Sequence, residues 1–180
     1  MFLTELFGVF SLSAFVVWGM LMAFFFNVFV FALGVKRKTT LLLSSFIMAT
    51  SYMAGDFLFT WLSPVPATYL DWALYDIVTI VCLCLTYFFF KKTTPSFLYL
   101  IVGLSINTTL FLLMYLDLFI YGNTKPWFFW DIYSFGVNII DLSMIIVLIV
   151  DRDIFWLHKL KNLISPSSKA RKINTSSNVY

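Results

Sequence analysis

Five long apolar runs, separated by short polar breaks, make up most of this chain: about 7–35, 41–62, 69–90, 97–121 and 127–150. Each meets the roughly 20 residues that a helix needs to cross a hydrocarbon core of about 30 Å. A backbone that faces lipid must satisfy its own hydrogen bonds, so the runs are expected to be helices. The breaks carry turn residues, Ser63-Pro64-Val65-Pro66 after the second run and Gly122-Asn123-Thr124-Lys125-Pro126 after the fourth. Connections this short make one antiparallel hairpin of runs two and three and another of runs four and five. The pattern therefore predicts an all-α integral membrane protein, a bundle of about five transmembrane helices over residues 1–151. An amphipathic cytoplasmic extension over 152–165 and a disordered basic tail over 166–180 are expected to follow it.

Charge gives the bundle a direction. Lys36, Arg37 and Lys38 follow the first run, Lys91 and Lys92 follow the third, and Arg152, Lys159, Lys161, Lys169, Arg171 and Lys172 follow the fifth. Only Lys125 stands on the other side, so eleven of twelve basic residues share one face. The positive-inside rule assigns that face to the cytoplasm, which puts the N-terminus outside and the tail inside. Trp61, Trp72, Trp127 and Trp130 mark the outer interface and Trp156 the inner one. The first residues, MFLTELF, lack a basic n-region, and no small-x-small cleavage site follows the apolar stretch. A retained first helix is expected there in place of a signal peptide.

Composition closes off other classes. With 61% hydrophobic, 21% aromatic and 12% charged residues, the bilayer has to be the solvent, and no polar stretch is long enough to form a soluble catalytic domain. Cys82 and Cys84 are two apart in an apolar run and point different ways on a helix, which makes them packing residues and not a metal pair. No metal and no cofactor is expected. The compact loops and the lack of a sorting signal suit a bacterial inner membrane.

The hairpins also resemble each other at their ends. One opens with Lys36-Arg-Lys-Thr-Thr40 and the other with Lys91-Lys-Thr-Thr94, and Pro66 precedes Asp71 by the same five residues as Pro126 precedes Asp131. Either the chain holds two parallel repeats with the first helix added at their edge, or these are generic membrane turns.

The chemistry sits in the polar residues of the apolar runs. A charge in hydrocarbon costs several kcal/mol, so each one needs a partner or a purpose. Asp141 lies near mid-membrane, and Asp131, Ser134, Asn138 and Asp141 fall within one stripe of the fifth helix. Facing candidates at matching depth are Asn107, Asp76 with Thr79, Tyr52 with Asp56, and Asn27 nearer the inner side. No Lys, Arg or His falls within any run, so these acids have no cationic partner in the chain. In the neutral form such a carboxyl can donate a hydrogen bond to an asparagine or a backbone carbonyl. The stripe then reads either as interhelical glue, worth about 1 kcal/mol per bond, or as a route for protons or cations. Six of the nine acids, Glu5, Asp56, Asp71, Asp76, Asp117 and Asp131, gather toward the outer face. Helix dipoles explain Asp71 and Asp131 at helix starts but not Asp56 and Asp117, which leaves an acidic vestibule as the other reading.

Past the last run, Trp156, Leu157, Leu160, Leu163 and Ile164 share one side of a helical period, opposite His158, Lys159 and Lys161. This segment is expected to lie on the inner surface, its lysines near anionic headgroups. Lys159, Lys161, Lys169, Arg171 and Lys172 are also the residues expected to dock a cytosolic protein. No Ser/His pair, aspartyl-protease signature or zinc motif is present, and the single histidine lies outside the runs, so an enzyme is not expected. Two functions remain. The first is a non-enzymatic subunit, an anchor or sensor in a membrane assembly such as a defence or immunity system. It would be homo-oligomeric and recruit a cytosolic effector, with lipid and protein but no nucleic acid as partners. The alternative is a small oligomeric transporter or channel for protons, cations or small solutes, with Asp141, Asn138, Asn107 and Asp76 along its route.

Overall fold

A computed structural model describes residues 12–34, 39–58, 68–90, 94–125 and 127–151. They form five helices: α1 (Leu12–Ala32), α2 (Thr39–Leu58), α3 (Thr68–Phe90), α4 (Pro95–Tyr115) and α5 (Phe128–Val150). A π-helical turn, Leu116–Ile120, continues α4. No strand occurs among the described residues. Four of the helices are long and apolar enough to cross a membrane. The exception is α2, which is 20 residues long but carries Ser44, Ser45, Ser51 and Tyr52 among its apolar positions. The chain is thus an all-α membrane bundle. Pro95 opens α4, where its missing N–H removes a donor that would have no helical partner.

Each helix packs against the next in sequence, and α1 packs against α5. The bundle is therefore a closed ring in the order α1-α2-α3-α4-α5. The sequence suggested α1 as an addition at the edge of two hairpins. Instead α1 packs between α2 and α5 and closes the ring, and Gly19 lets it approach α5 closely. Gly19 lies so near Ile145 that a methyl group there would sit 2.6 Å from Ile145 Cδ1. Asn27, further along α1, donates to the Leu148 carbonyl of α5 at 3.1 Å.

At the end where α4 turns into α5, the outer end by the charge pattern, the helices leave space between them. The other half is filled. Met20, Met48, Leu83, Leu100, Leu104, Met144 and Leu148 are completely or almost completely buried there. With apolar lipid outside, this packing rests on close contact and dispersion more than on escape from water. Gly103 makes the α4–α5 contact close, since a Cβ there would meet Met144 Sδ at 2.7 Å. The outward surfaces are lipid-facing aromatic and aliphatic residues. On α1, Phe15, Trp18, Met22, Phe25 and Phe29 recur at three- and four-residue intervals and are all well exposed.

Candidate functional site

The space in the outer half is a cavity of about 320 Å³, walled by all five helices. Its polar side is built from α2, α3, α4 and α5. Asp141 is buried on the inward face of α5, where its Oδ1 accepts from Tyr52 Oη at 2.6 Å and from Asn107 Nδ2 at 2.8 Å. Three helices therefore meet at one carboxyl oxygen. Asp76 of α3 lines the same cavity and is 8% exposed. Beside them Ser51 and Thr79 share a hydrogen bond between α2 and α3, and Thr79 donates to the Tyr75 carbonyl at 2.7 Å.

Two acceptors in this cluster are unused. Among the described residues, Asp76 Oδ2 and Asn107 Oδ1 are buried with no hydrogen-bond partner. A buried acceptor left in that state costs about 1–3 kcal/mol, so two of them on one cavity wall mark a surface with spare capacity.

The end of the cavity away from the filled core is aromatic. Tyr69 and Trp72 of α3, Phe111 of α4 and Tyr133 of α5 touch in a closed circuit. The ring centroids are 5.6 Å apart for Tyr69–Trp72, 5.4 Å for Trp72–Phe111, 6.0 Å for Phe111–Tyr133 and 5.7 Å for Tyr133–Tyr69. The contacts are edge-to-face or tilted, the arrangement that ring quadrupoles favour. Trp72, Phe111 and Tyr133 line the cavity, on the side away from the filled core.

The candidates named from sequence divide as follows. Asp141, Asn107 and Asp76 come together, joined by Tyr52. Asn138 reaches the cavity wall, but its Nδ2 donates to the Ser134 carbonyl of its own helix at 2.6 Å. Asp131 does not belong to the inward stripe. It is exposed in the first turn of α5, about 80° around the helix from Asp141. Asp56 belongs to the last turn of α2, and its side chain lies outside the described residues. So do Glu5 and the tail candidates Lys159, Lys161, Lys169, Arg171 and Lys172.

Asp117 stands apart. Its Oδ1 accepts from Asn123 Nδ2 at 2.8 Å and its Oδ2 from the indole N–H groups of Trp127 and Trp130, at 2.9 and 3.2 Å. The Asn123 backbone N–H also bonds to the Asp117 carbonyl, at 3.0 Å. This carboxylate organises the α4–α5 connection and does not line the cavity.

Compared with protein-family models, curated proteins and solved structures, the chain matches none. The function therefore rests on the cavity itself. Among the described residues, no three His, Cys, Asp or Glu side chains gather in a way that could hold a metal ion.

The sequence missed the aromatic wall. Its signal lay in the spacing: Tyr69, Trp72 and Asp76 lie on one face of α3, and Tyr133, Val137 and Asp141 on one face of α5, each at three- or four-residue steps.

Proposed function

We propose that this chain is a non-enzymatic, multi-pass membrane protein that takes a small solute into its central cavity from the outer side, as a small transporter or channel subunit. The observation that carries this reading is the pair of unused buried acceptors, Asp76 Oδ2 and Asn107 Oδ1, on the wall of a five-helix cavity. Interhelical glue alone accounts for Asp141, whose Oδ1 bonds join α2, α4 and α5. It gives no role to the acceptors that bond to nothing. Sites of this kind, concave, mostly apolar and with few convergent polar groups, are where small molecules bind, and about 320 Å³ is at the lower end of their range.

The test uses detergent-purified protein and a panel of small amines, carboxylates and sugars, with thermal stabilisation as the readout. Val137→Phe fills the cavity and leaves the inner core untouched. At least one solute is expected to stabilise the wild type and not Val137→Phe. In proteoliposomes, Asp141→Asn should abolish flux of that solute while the protein still inserts in full yield. If every solute affects wild type and Val137→Phe alike, the cavity is not a binding site. If Asp141→Asn instead lowers the yield, that residue is structural.

The assembly reading keeps one observation of its own. On the lipid side of α4, Ile101, Val102, Ser105, Ile106, Thr109 and Leu110 line a shallow groove. Ser105 and Thr109 in it are exposed and bond back to carbonyls of their own helix at 2.7 and 2.8 Å. Small hydroxyl residues on a lipid-facing helix suit association with another helix. Native mass spectrometry from the protein's own membranes tests this, and a partner-free monomer would set it aside.

A further inference from the structure

We propose that the solute is a small organic cation, an amine or quaternary ammonium, held with Asp76 as its counter-ion and the Trp72–Phe111–Tyr133 wall as its cage. This rests on the reading of the cavity as a solute site and names the class it takes. Three independent features point to it.

The first is charge. Asp76 and Asp141 share the cavity, and the five described helices contain no Lys, Arg or His between them. A buried carboxylate is stabilised by a paired cation, and none is supplied by these helices. The two acids are not equivalent, however. Asp141 Oδ1 is already occupied by Tyr52 and Asn107, whereas Asp76 Oδ2 is unpartnered on a residue more than nine-tenths buried. Asp76 is therefore the carboxylate with an oxygen to offer.

The second is the wall. Trp72, Phe111 and Tyr133 line the same space, and ring faces attract cations, best of all in the Trp case and within about 6 Å of the centroid. A bare metal ion would want a closed shell of oxygen ligands. Rings one or two turns from an acid on the same helix faces suit a cation whose charge is spread over carbon and nitrogen. The third is size. A cavity of about 320 Å³ admits a compact head group such as trimethylammonium, together with a short polar arm. Asn107 Oδ1, the other unused acceptor, is placed to take a hydroxyl or N–H from such an arm.

The experiment compares choline with its uncharged carbon isostere, 3,3-dimethyl-1-butanol, by titration calorimetry on the full-length protein in detergent. Shape and hydroxyl are shared, so any difference reports the charge. Choline is expected to bind about tenfold or more tightly than the isostere. Asp76→Asn should remove that preference and leave the isostere's affinity unchanged. Trp72→Leu should weaken choline with Asp76 intact, and thermal melting confirms that both variants fold. Equal binding of the two probes, or a preference that survives Asp76→Asn, overturns the cation assignment. So does failure of both probes to bind. Failure of the underlying reading looks different: it is the absence, across the whole panel of amines, carboxylates and sugars, of any solute that distinguishes wild type from Val137→Phe. A neutral or anionic solute that does distinguish them sinks only the cation.

Discussion

The two halves of this bundle differ in how they fill the space between their helices. In the inner half, side-chain donors are bound to nearby acceptors: Asn27 to the Leu148 carbonyl, Ser44 to Thr40, Ser45 to Leu42 and Ser96 to Asp151. Among the described residues, only the Thr40 and Thr94 hydroxyls, at the starts of α2 and α4, are buried there without partners. Between these ties the space is filled by Met20, Met48, Leu83, Leu104 and Met144. In the outer half the same ring encloses a cavity, and acceptors on Asp76 and Asn107 are left over. On the proposed reading, the unfilled end of the ring is the solute site. On that reading, passage of a solute across the bundle would require the filled half to repack. Methionine, unbranched and flexible, is the apolar side chain best suited to doing so.

The harshest way to break the contrast is to overfill the inner half. Gly103→Leu places a branched side chain where even a Cβ would sit 2.7 Å from Met144 Sδ and 3.3 Å from Ile140 Cγ2. The α4–α5 contact cannot close around it, and the expected result is loss of monodisperse protein on size-exclusion chromatography. Next comes a paired deletion that asks whether the halves differ in energy. Leu104→Ala in the filled core should cost about 2–5 kcal/mol by SDS titration, the usual range for a large-to-small change at a site that cannot collapse. Val137→Ala removes apolar atoms from the cavity wall, where contact is already missing on one side, and should cost less than about 1 kcal/mol. Equal losses would mean that the two halves are packed alike.

A smaller effect is expected at the rim. Asp117→Asn keeps the size of the side chain but replaces an ionised acceptor of three N–H groups by a neutral amide with one oxygen. The lost bonds belong to a solvated turn at the rim, so the expected fall in stability is small. The sharper readout is fluorescence. Trp127 and Trp130 lose their common ionised acceptor, so tryptophan emission should shift while solute binding in the cavity is unchanged.

How far the sequence reached follows from what each signal encodes. The helices were legible because a lipid-facing backbone leaves no alternative: runs at 69–90 and 127–150 became Thr68–Phe90 and Phe128–Val150. The meeting of Asp141 with Asn107 was legible from depth alone, since residues at equal depth on neighbouring helices can touch. Rotation was harder. Asp131 shares a loose stripe with Asp141 in sequence, yet it sits at the helix start where the turn sets its exposure. Ring closure by α1 was hidden as well, because Gly19 becomes informative only when Ile145 is seen against it. Asp117 looked like vestibule charge because nothing in its spacing says that two indoles ten and thirteen residues on will turn back to it.

The mildest prediction tests a side-chain tie between α4 and α5 in the inner half. Asp151 ends α5 in the left-handed region, φ 48°, and its N–H bonds to the Val147 carbonyl at 2.9 Å. Its carboxylate then accepts from the fully buried Ser96 hydroxyl at 2.5 Å, which ties the start of α4 to the end of α5. Such side-chain bonds inside membrane bundles average about 0.6 kcal/mol, because the separated helices also find partners. Ser96→Ala should therefore lower stability by no more than about 1 kcal/mol and leave solute binding untouched. A loss of binding would mean that the inner tie sets the cavity's shape through α4 and α5, and the two halves would then be one mechanical unit.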